Sequence, residues 1–366
     1  MRIAVLSRFA YQMGGAEFLA GSVLDCLSKA GHDVTLLTFS PPSGSFNIHE
    51  FEYAFGKRLN DVKVILTGSH KTDGLTYSAV RRAVGELWAN LASQSFDLFV
   101  DVSGVIVPVY LKLPDLAYIH YPFVLNYPSK EADQLTPSKL FLGRAYRIAV
   151  LRFLKSTRRL FCNSYYTRGI IASIEANANV KVLYPPVPVR EFTPECEAER
   201  IGVASASRCV PFKKLEEHLF LAKRLKIPVT LICVAKRQAE FQYLSYLKRI
   251  APSNVKFIIN ASREDVKRVL WRSRVYLSTT RDEQFGIAIV EAIAAGCVPI
   301  VRDDGGPREI VPYPELRFGT EDELDNKVLA ALAGENDYIR PELQRHIQQF
   351  DEPRFQQTFL RAVETL

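Results

Sequence analysis

Short apolar runs separated by longer amphipathic stretches set the rhythm of this chain. In the first half the runs are RIAVLS (2–7), DVTLLTF (33–39), VKVIL (62–66), DLFVDVS (97–103), LAYIHYP (116–122) and RLFCNS (159–164). Runs of this length with few charges are what strands buried on both faces require. Between them, apolar positions return at helical spacing. One helix is expected from the Gly14-Gly15 loop to Gly31, a residue suited to the left-handed turn that closes a helix; others are expected about 76–93 and 138–156. YPPVPV (184–189) interrupts the rhythm, because three prolines within four residues exclude helix and hold the chain extended. The alternation then restarts with IGVASAS (201–207), VTLICVA (229–235), VKFIIN (255–260), VYLSTT (275–280) and VPIVRD (298–303). Ser262 and Asp265 have capping-box spacing ahead of a helix through Trp271.

Strands alternating with helices, twice over, predict two doubly wound α/β domains with parallel sheets. The expected division is a Rossmann-like domain over 1–188, a second over 189–348, and a closing helix over 349–366 within FDEPRFQQTFLRAVETL. Sheets facing one another across a cleft bring ligands to the carboxyl ends of their strands.

Composition narrows the class. The 366 residues are 48% hydrophobic and 24% charged, as in a soluble globular protein. No apolar run approaches the roughly 20 residues of a transmembrane helix, and MRIAVLSRF turns polar too soon for a signal peptide. The six cysteines (Cys26, Cys162, Cys196, Cys209, Cys233, Cys297) show no metal-ligand spacing and read as free thiols in a reducing cytoplasm. A formal net charge of +7 suits an anionic partner: nucleic acid, a phosphorylated small molecule or an anionic membrane surface.

Unusual residues gather at the expected strand ends. SRCVPFKK (207–214) follows the first strand of the second domain, placing Arg208 and Lys213 or Lys214 where two cations could clamp a diphosphate; a solvated basic loop is the plainer reading. Further on, EQFGIAIVEAIAAGCVPI (283–300) is nearly all apolar or small, yet it holds Glu283 and Glu291. A carboxylate buried without a partner costs several kcal/mol or takes up a proton, so both need a role. Gly286 lets the backbone approach a ligand, and the N–H groups near Phe285, Gly286 and Ile287 open a helix, a ready anion site. The plainer reading of Glu291 is pairing with a nearby lysine or arginine. In the first domain, Gly14 and Gly15 sit at a strand-to-helix turn and His120 ends the strand in YIHYP. No DxD occurs, and the Asp303-Asp304 pair beside Gly305-Gly306 reads as a turn.

Together these residues resemble the retaining, nucleotide-sugar-dependent glycosyltransferases of family 4, with the GT-B architecture. The resemblance covers essentially the whole chain: GGAE near the start, SRCVPFKK after the linker, the E-x7-E segment, and GGPREIV (305–311). It implies that Arg208 and Lys213, with Lys214 beside them, bind the donor diphosphate. It implies further that Glu283, Gln284, Phe285, Gly286 and Ile287 hold the donor sugar and phosphate, and that Glu291 holds the ribose. Gly14 and Gly15 would line the first-domain side of the cleft, and His120 would lie near the transferred sugar. Lys214 replaces the commoner glycine after the lysine. A narrower resemblance, on YIHYP, EQFGIAIVEAIAAG and GGPREIV, is to the α-1,2-mannosyltransferases of the dolichol-linked oligosaccharide. It implies GDP-mannose as donor and a lipid-linked glycan acceptor; with no DxD and no metal-ligand set in the sequence, no metal or other cofactor is expected. UDP-sugar transfer within the same family remains the alternative.

The expected chemistry is front-side transfer with retained anomeric configuration, the departing diphosphate taking the acceptor proton while Arg208, Lys213 and the helix N-terminus stabilise its charge. Arg144, Arg147, Lys155 and Arg158 fall within one helical arc at about 100° per residue, and such a stripe could rest on an anionic membrane from the cytoplasmic side. A basic solvent face is the alternative. A nucleic-acid-binding protein would leave Glu283 and Glu291 unexplained, and a non-catalytic nucleotide-sugar-binding regulator would keep the same fold.

Overall fold

A computed structural model of the protein describes residues 1–8, 10, 14–39, 46–56, 58–59, 61–67, 95–104, 112–122, 137–195 and 199–366. The helix expected about 76–93 and Cys196 lie outside the described residues. The chain divides into two compact units, Met1–Pro186 with Pro353–Leu366, and Val187–Glu352.

The first unit runs β1 (Arg2–Leu6), α1 (Gly15–Lys29), β2 (Asp33–Phe39), α2 (Ile48–Phe55), β3 (Lys63–Thr67), β4 (Leu98–Gly104), β5 (Leu116–Ile119), α3 (Pro137–Ser156), β6 (Arg159–Cys162), α4 (Tyr165–Ile174) and β7 (Val180–Val182). Its strands pair in parallel in the order β3-β2-β1-β4-β5-β6-β7. After β3 the order reverses across β1, so β1 and β4 flank a switch point where neighbouring crossovers leave in opposite directions. The apolar runs are buried because helices cover them: Ile3, Val5, Val34, Leu36 and Val100 pack against Leu19, Val23, Leu24 and Leu27 of α1. Ser164 caps α4 by accepting from Thr167 N–H at 3.0 Å.

The second unit runs α5 (Val189–Phe192), β8 (Val203–Arg208), α6 (Glu216–Leu225), β9 (Val229–Val234), α7 (Gln238–Ile250), β10 (Val255–Ile259), α8 (Arg263–Arg272), β11 (Val275–Ser278), α9 (Ile287–Ala294), β12 (Val298–Arg302), α10 (Pro307–Ile310), β13 (Arg317–Phe318), α11 (Glu321–Ala333) and α12 (Arg340–His346). This sheet is also parallel, in the order β10-β9-β8-β11-β12-β13, with its switch point between β8 and β11. The capping box at Ser262 forms: its Oγ accepts from Asp265 N–H at 3.1 Å while the Asp265 carboxylate accepts from Ser262 N–H at 3.3 Å. The chain ends in α13 (Glu352–Glu364), whose Phe355, Phe359, Ala362 and Val363 are buried in the core of the first unit.

Three features depart from the sequence reading. β7 and β13 have three and two residues, too short to stand out as apolar runs. The cationic arc also changes. Helix α3 stops at Ser156, so Arg158 lies in the turn beyond it and not on the helical face. There its guanidinium meets Asp115 at 3.7 Å and the backbone carbonyl of Leu366, and Lys155 pairs with Glu175 at 3.1 Å. Arg147 is exposed on α3, and Arg144 belongs to its first part, where side chains lie outside the description. No helix among the described residues is long and apolar enough to cross a membrane. The five described cysteines are free thiols.

Candidate active site

Two loops meet at the switch point of the second unit and enclose a cavity of about 170 Å³. It is lined by the end of β8 (Ser205 to Arg208), by Lys213, by Ser278 to Thr280 after β11, and by Glu283 and Gly286 to Ile289 at the start of α9. A parallel sheet leaves room there because the crossovers on its two sides diverge.

The first loop presents the cations. After β8 the chain makes a 3-10 turn at Pro211–Lys213, closed by Lys214 with a left-handed φ of 53°. The buried Thr279 hydroxyl donates to the carbonyls of Lys213 (3.0 Å) and Lys214 (3.2 Å), tying the turn to the end of β11. That geometry separates the two lysines. Lys213 turns into the cavity and pairs with the Glu283 carboxylate, whereas Lys214 is exposed and does not line it. Arg208 faces the opening, and the exposed Phe212 ring lies 5.9 Å from its guanidinium and 5.5 Å from the Lys213 ammonium.

The second loop presents the carboxylate and the helix start. Gly286 takes φ 109°, and a Cβ there would fall 2.7 Å from Ile289 Cδ1. The loop is clamped from behind by the glycine pair after β12. Gly306 N–H donates to the Glu283 carbonyl at 2.8 Å, and Asp304 Oδ2 accepts from Asp282 N–H at 3.0 Å. Side chains at Gly305 and Gly306 would meet the Glu283 and Gln284 carbonyl oxygens at 2.4 and 2.3 Å. The GGPREIV stretch is thus a brace for the Glu283 loop. Phe285 is buried against Phe350, ring centroids 5.3 Å apart, so only its backbone can serve a ligand. The Gln284 side chain bonds the Asp282 carbonyl at 2.6 Å and does not line the cavity.

Glu291 also lies outside that lining, one turn along α9 from Ile287. It is half-buried, and loss of solvation pushes its carboxyl up to about 7, against the pull of Arg263 and with the push of Glu191. Arg263 is itself held by Glu191, Nε to Oε2 at 2.9 Å. The structure therefore brings Arg208, Lys213, Glu283, Gly286 and Ile287 together and sets Glu291 apart with Arg263 and Glu191.

In the first unit, Gly14 and Gly15 are exposed at the N-terminus of α1, where Gly14 is the cap and its carbonyl accepts from Phe18 N–H at 2.9 Å. His120 follows β5, its N–H donating to the Gly104 carbonyl at 3.0 Å and its ring pressed on Gly104, where a Cβ would lie 1.8 Å from the ring. Burial lowers its pKa to about 4, so it is neutral at neutral pH, and among the described residues its Nε2 has no hydrogen-bond partner. Close by, at the switch point, stands a pair that sequence reasoning missed. The Arg8 guanidinium grips the Asp101 carboxylate at 3.2 and 3.0 Å, both side chains buried. Asp101 also accepts from Ser103 N–H at 2.9 Å, where β4 shifts register against β5. The signal was present: an aspartate inside the apolar run DLFVDVS required a partner.

Comparison with known proteins places this geometry. Residues 13–191 match the family model for Glycosyltransferase Family 4, and residues 194–337 that for Glycosyl transferases group 1. Those two domains in tandem account for nearly the whole chain, which belongs to the family 4 glycosyltransferases of the GT-B fold. A GDP-Man:Man(3)GlcNAc(2)-PP-Dol alpha-1,2-mannosyltransferase from Xenopus laevis is 26% identical over 235 residues, covering 57% of this chain and 48% of its own. The human protein of the same name is 25% identical over 234 residues, covering 56% and 48%. The chain thus spans about half the length of these curated relatives. Among solved structures, Anabaena HepE in complex with UDP and glucose superposes with a TM-score of 0.72 at 16% identity over the full length of both chains. Sucrose-phosphate synthase from Thermosynechococcus elongatus gives 0.75 at 14% identity, covering 100% and 98%. At these identities the likeness is one of fold.

Proposed function

We propose that the protein is a retaining hexosyltransferase that moves mannose from GDP-mannose to a lipid-linked glycan. The observation that carries the transferase reading is the arrangement of Arg208, Lys213, Glu283 and the start of α9 around one cavity at a switch point. Two cations and a helix N-terminus suit a diphosphate, and a carboxylate among them suits the hydroxyls of a sugar. The names of the mannosyltransferase relatives support the donor and the acceptor, and a lipid-linked acceptor would bring the protein to a membrane face.

In this reading Arg208 and Lys213 take the diphosphate with the N–H groups of Gly286 and Ile287, and Glu283 exchanges Lys213 for sugar hydroxyls. Glu291 receives the ribose. Gly14 and Gly15 belong to the acceptor side, and neutral His120 offers its Nε2 to the transferred sugar. The bond from the anomeric carbon to the diphosphate breaks, the acceptor oxygen bonds the same face of that carbon, and its proton goes to the departing diphosphate. The chain's own cations stabilise the charge that grows on the leaving group, without a metal. Arg147 beside the exposed Ile148 would be the part of α3 that meets a bilayer.

A panel of labelled GDP- and UDP-sugars tests the reading. GDP-mannose should give the fastest donor turnover, indifferent to EDTA, with an α-linked product; preference for a UDP-hexose would instead establish UDP-sugar transfer. Arg208→Ala or Lys213→Ala should lower kcat by about 100- to 1,000-fold, and near wild-type turnover in either would remove the assignment.

A further inference from the structure

Residues 208–249 hold ten lysines and arginines against three glutamates, so this one stretch accounts for the whole net charge of +7 and the rest of the chain is balanced. The donor cavity uses Arg208 and Lys213, and Arg224 is taken up by Asp325 and Glu321 of α11 at 2.7 and 3.5 Å. The remaining cations, Lys214, Lys223, Lys226, Lys236, Arg237, Lys248 and Arg249, are all exposed.

Of the three glutamates within the stretch, Glu240 pairs with one of these cations, Arg237, Nε to Oε1 at 3.7 Å, and the other two are engaged elsewhere. Glu216 accepts from the Tyr243 hydroxyl at 2.7 Å, Glu217 pairs with Arg302 at 2.6 Å, and Glu240 is buried, accepting from the N–H groups of Lys236 and Arg237. Large aromatic rings are exposed in the same layer: Phe220 on α6 at 47%, and Phe241 and Tyr246 on α7 at 45% and 39%. Helices α6 and α7 lie on one side of their sheet, because β8, β9 and β10 are consecutive neighbours joined by successive right-handed crossovers. The Tyr243–Glu216 bond ties the two helices together.

We propose that this outer face of α6 and α7 docks on an anionic lipid bilayer. Rings standing on a helical surface among lysines and arginines match the headgroup boundary, where aromatics settle and each cation adds attraction to anionic lipid. Arg249 lies over the Tyr246 ring at 5.9 Å, so cation and ring meet the boundary as one unit. The inference is independent of the donor and acceptor reading, since none of these side chains lines the cavity.

The experiment is flotation of the full chain with vesicles of phosphatidylcholine alone and of phosphatidylcholine with about 30% phosphatidylglycerol, at about 0.1 M salt. Binding is expected on the anionic vesicles only. It should fall at least about tenfold both in Lys223→Glu/Lys248→Glu/Arg249→Glu and in Phe220→Ser/Phe241→Ser/Tyr246→Ser. Donor turnover, read in parallel, should be unchanged in both variants, which shows that they are folded. Any of four results overturns the proposal: no flotation on anionic vesicles; full flotation of the ring variant; loss of binding in Arg147→Glu/Arg152→Glu while the two triple variants still float; or a single-stranded oligonucleotide that displaces the protein from vesicles and binds it more tightly. Flotation by a protein that turns over no nucleotide sugar would uphold this surface and sink the transferase reading.

Discussion

Glu291 shows how a single carboxyl can report on its site. Its pKa, raised to about 7, means that the folded protein holds a proton which the unfolded chain releases near 4.5. Stability therefore falls as pH rises from about 4.5 to 7, and the cost of ionising Glu291 is fully present above that window. Glu291→Gln removes the titration. Its thermal midpoint relative to the parent should improve between about pH 5 and 7 and level off above that, and a constant difference would show that Glu291 titrates normally. If Glu291 receives the ribose as a carboxylate, donor affinity of the parent should rise over the same window and that of the variant should not. At Arg8 and Asp101 the energetics differ in kind. Removing one partner leaves a buried charge without its counter-ion, so Asp101→Asn or Arg8→Met should destabilise the first unit by about 3–5 kcal/mol in urea denaturation. Arg8→Met/Asp101→Leu should recover much of that loss; a double variant that loses the sum of the two single losses would show that the pair itself matters little.

At the scale of the element, the E-x7-E segment and GGPREIV are one device. Both were legible as motifs, yet the sequence reading took the glycine pair for an ordinary turn. Its purpose lies in contacts with a loop some twenty residues earlier, which local patterning cannot show. Gly306→Ala would drive a methyl into the Gln284 carbonyl 2.3 Å away and displace the Glu283 loop. The expected result is a loss of about 1–3 kcal/mol in thermal denaturation together with a weaker donor KM, and a variant with lower stability but unaltered KM would separate the brace from the site. Lys214 makes a similar point. Two adjacent lysines are equivalent on paper, and the left-handed turn at Lys214, tied by Thr279, chooses Lys213 for the cavity.

For the molecule as a whole, the last helix matters out of proportion to its length. Phe355, Phe359, Ala362 and Val363 fill the core of the first unit although they arrive after the entire second unit. Phe359→Ala should cost about 3–5 kcal/mol, with faster hydrogen exchange in β5 and β6 of the first unit. Acceleration confined to the second unit, with β5 and β6 unchanged, would contradict the packing. By itself the sequence determined the two α/β units, most strand positions, the proline break between them and the identity of the motif residues, because strand burial and helical amphipathicity are local, periodic signals. Only the tertiary structure decided which of those residues share a cavity, that Arg8 completes Asp101, that Arg158 leaves the helical stripe, and that the exposed rings and cations of α6 and α7 lie on one side of their sheet. Each of these depends on which strands become neighbours in a sheet, and in a parallel sheet that order is set by crossovers joining distant parts of the chain.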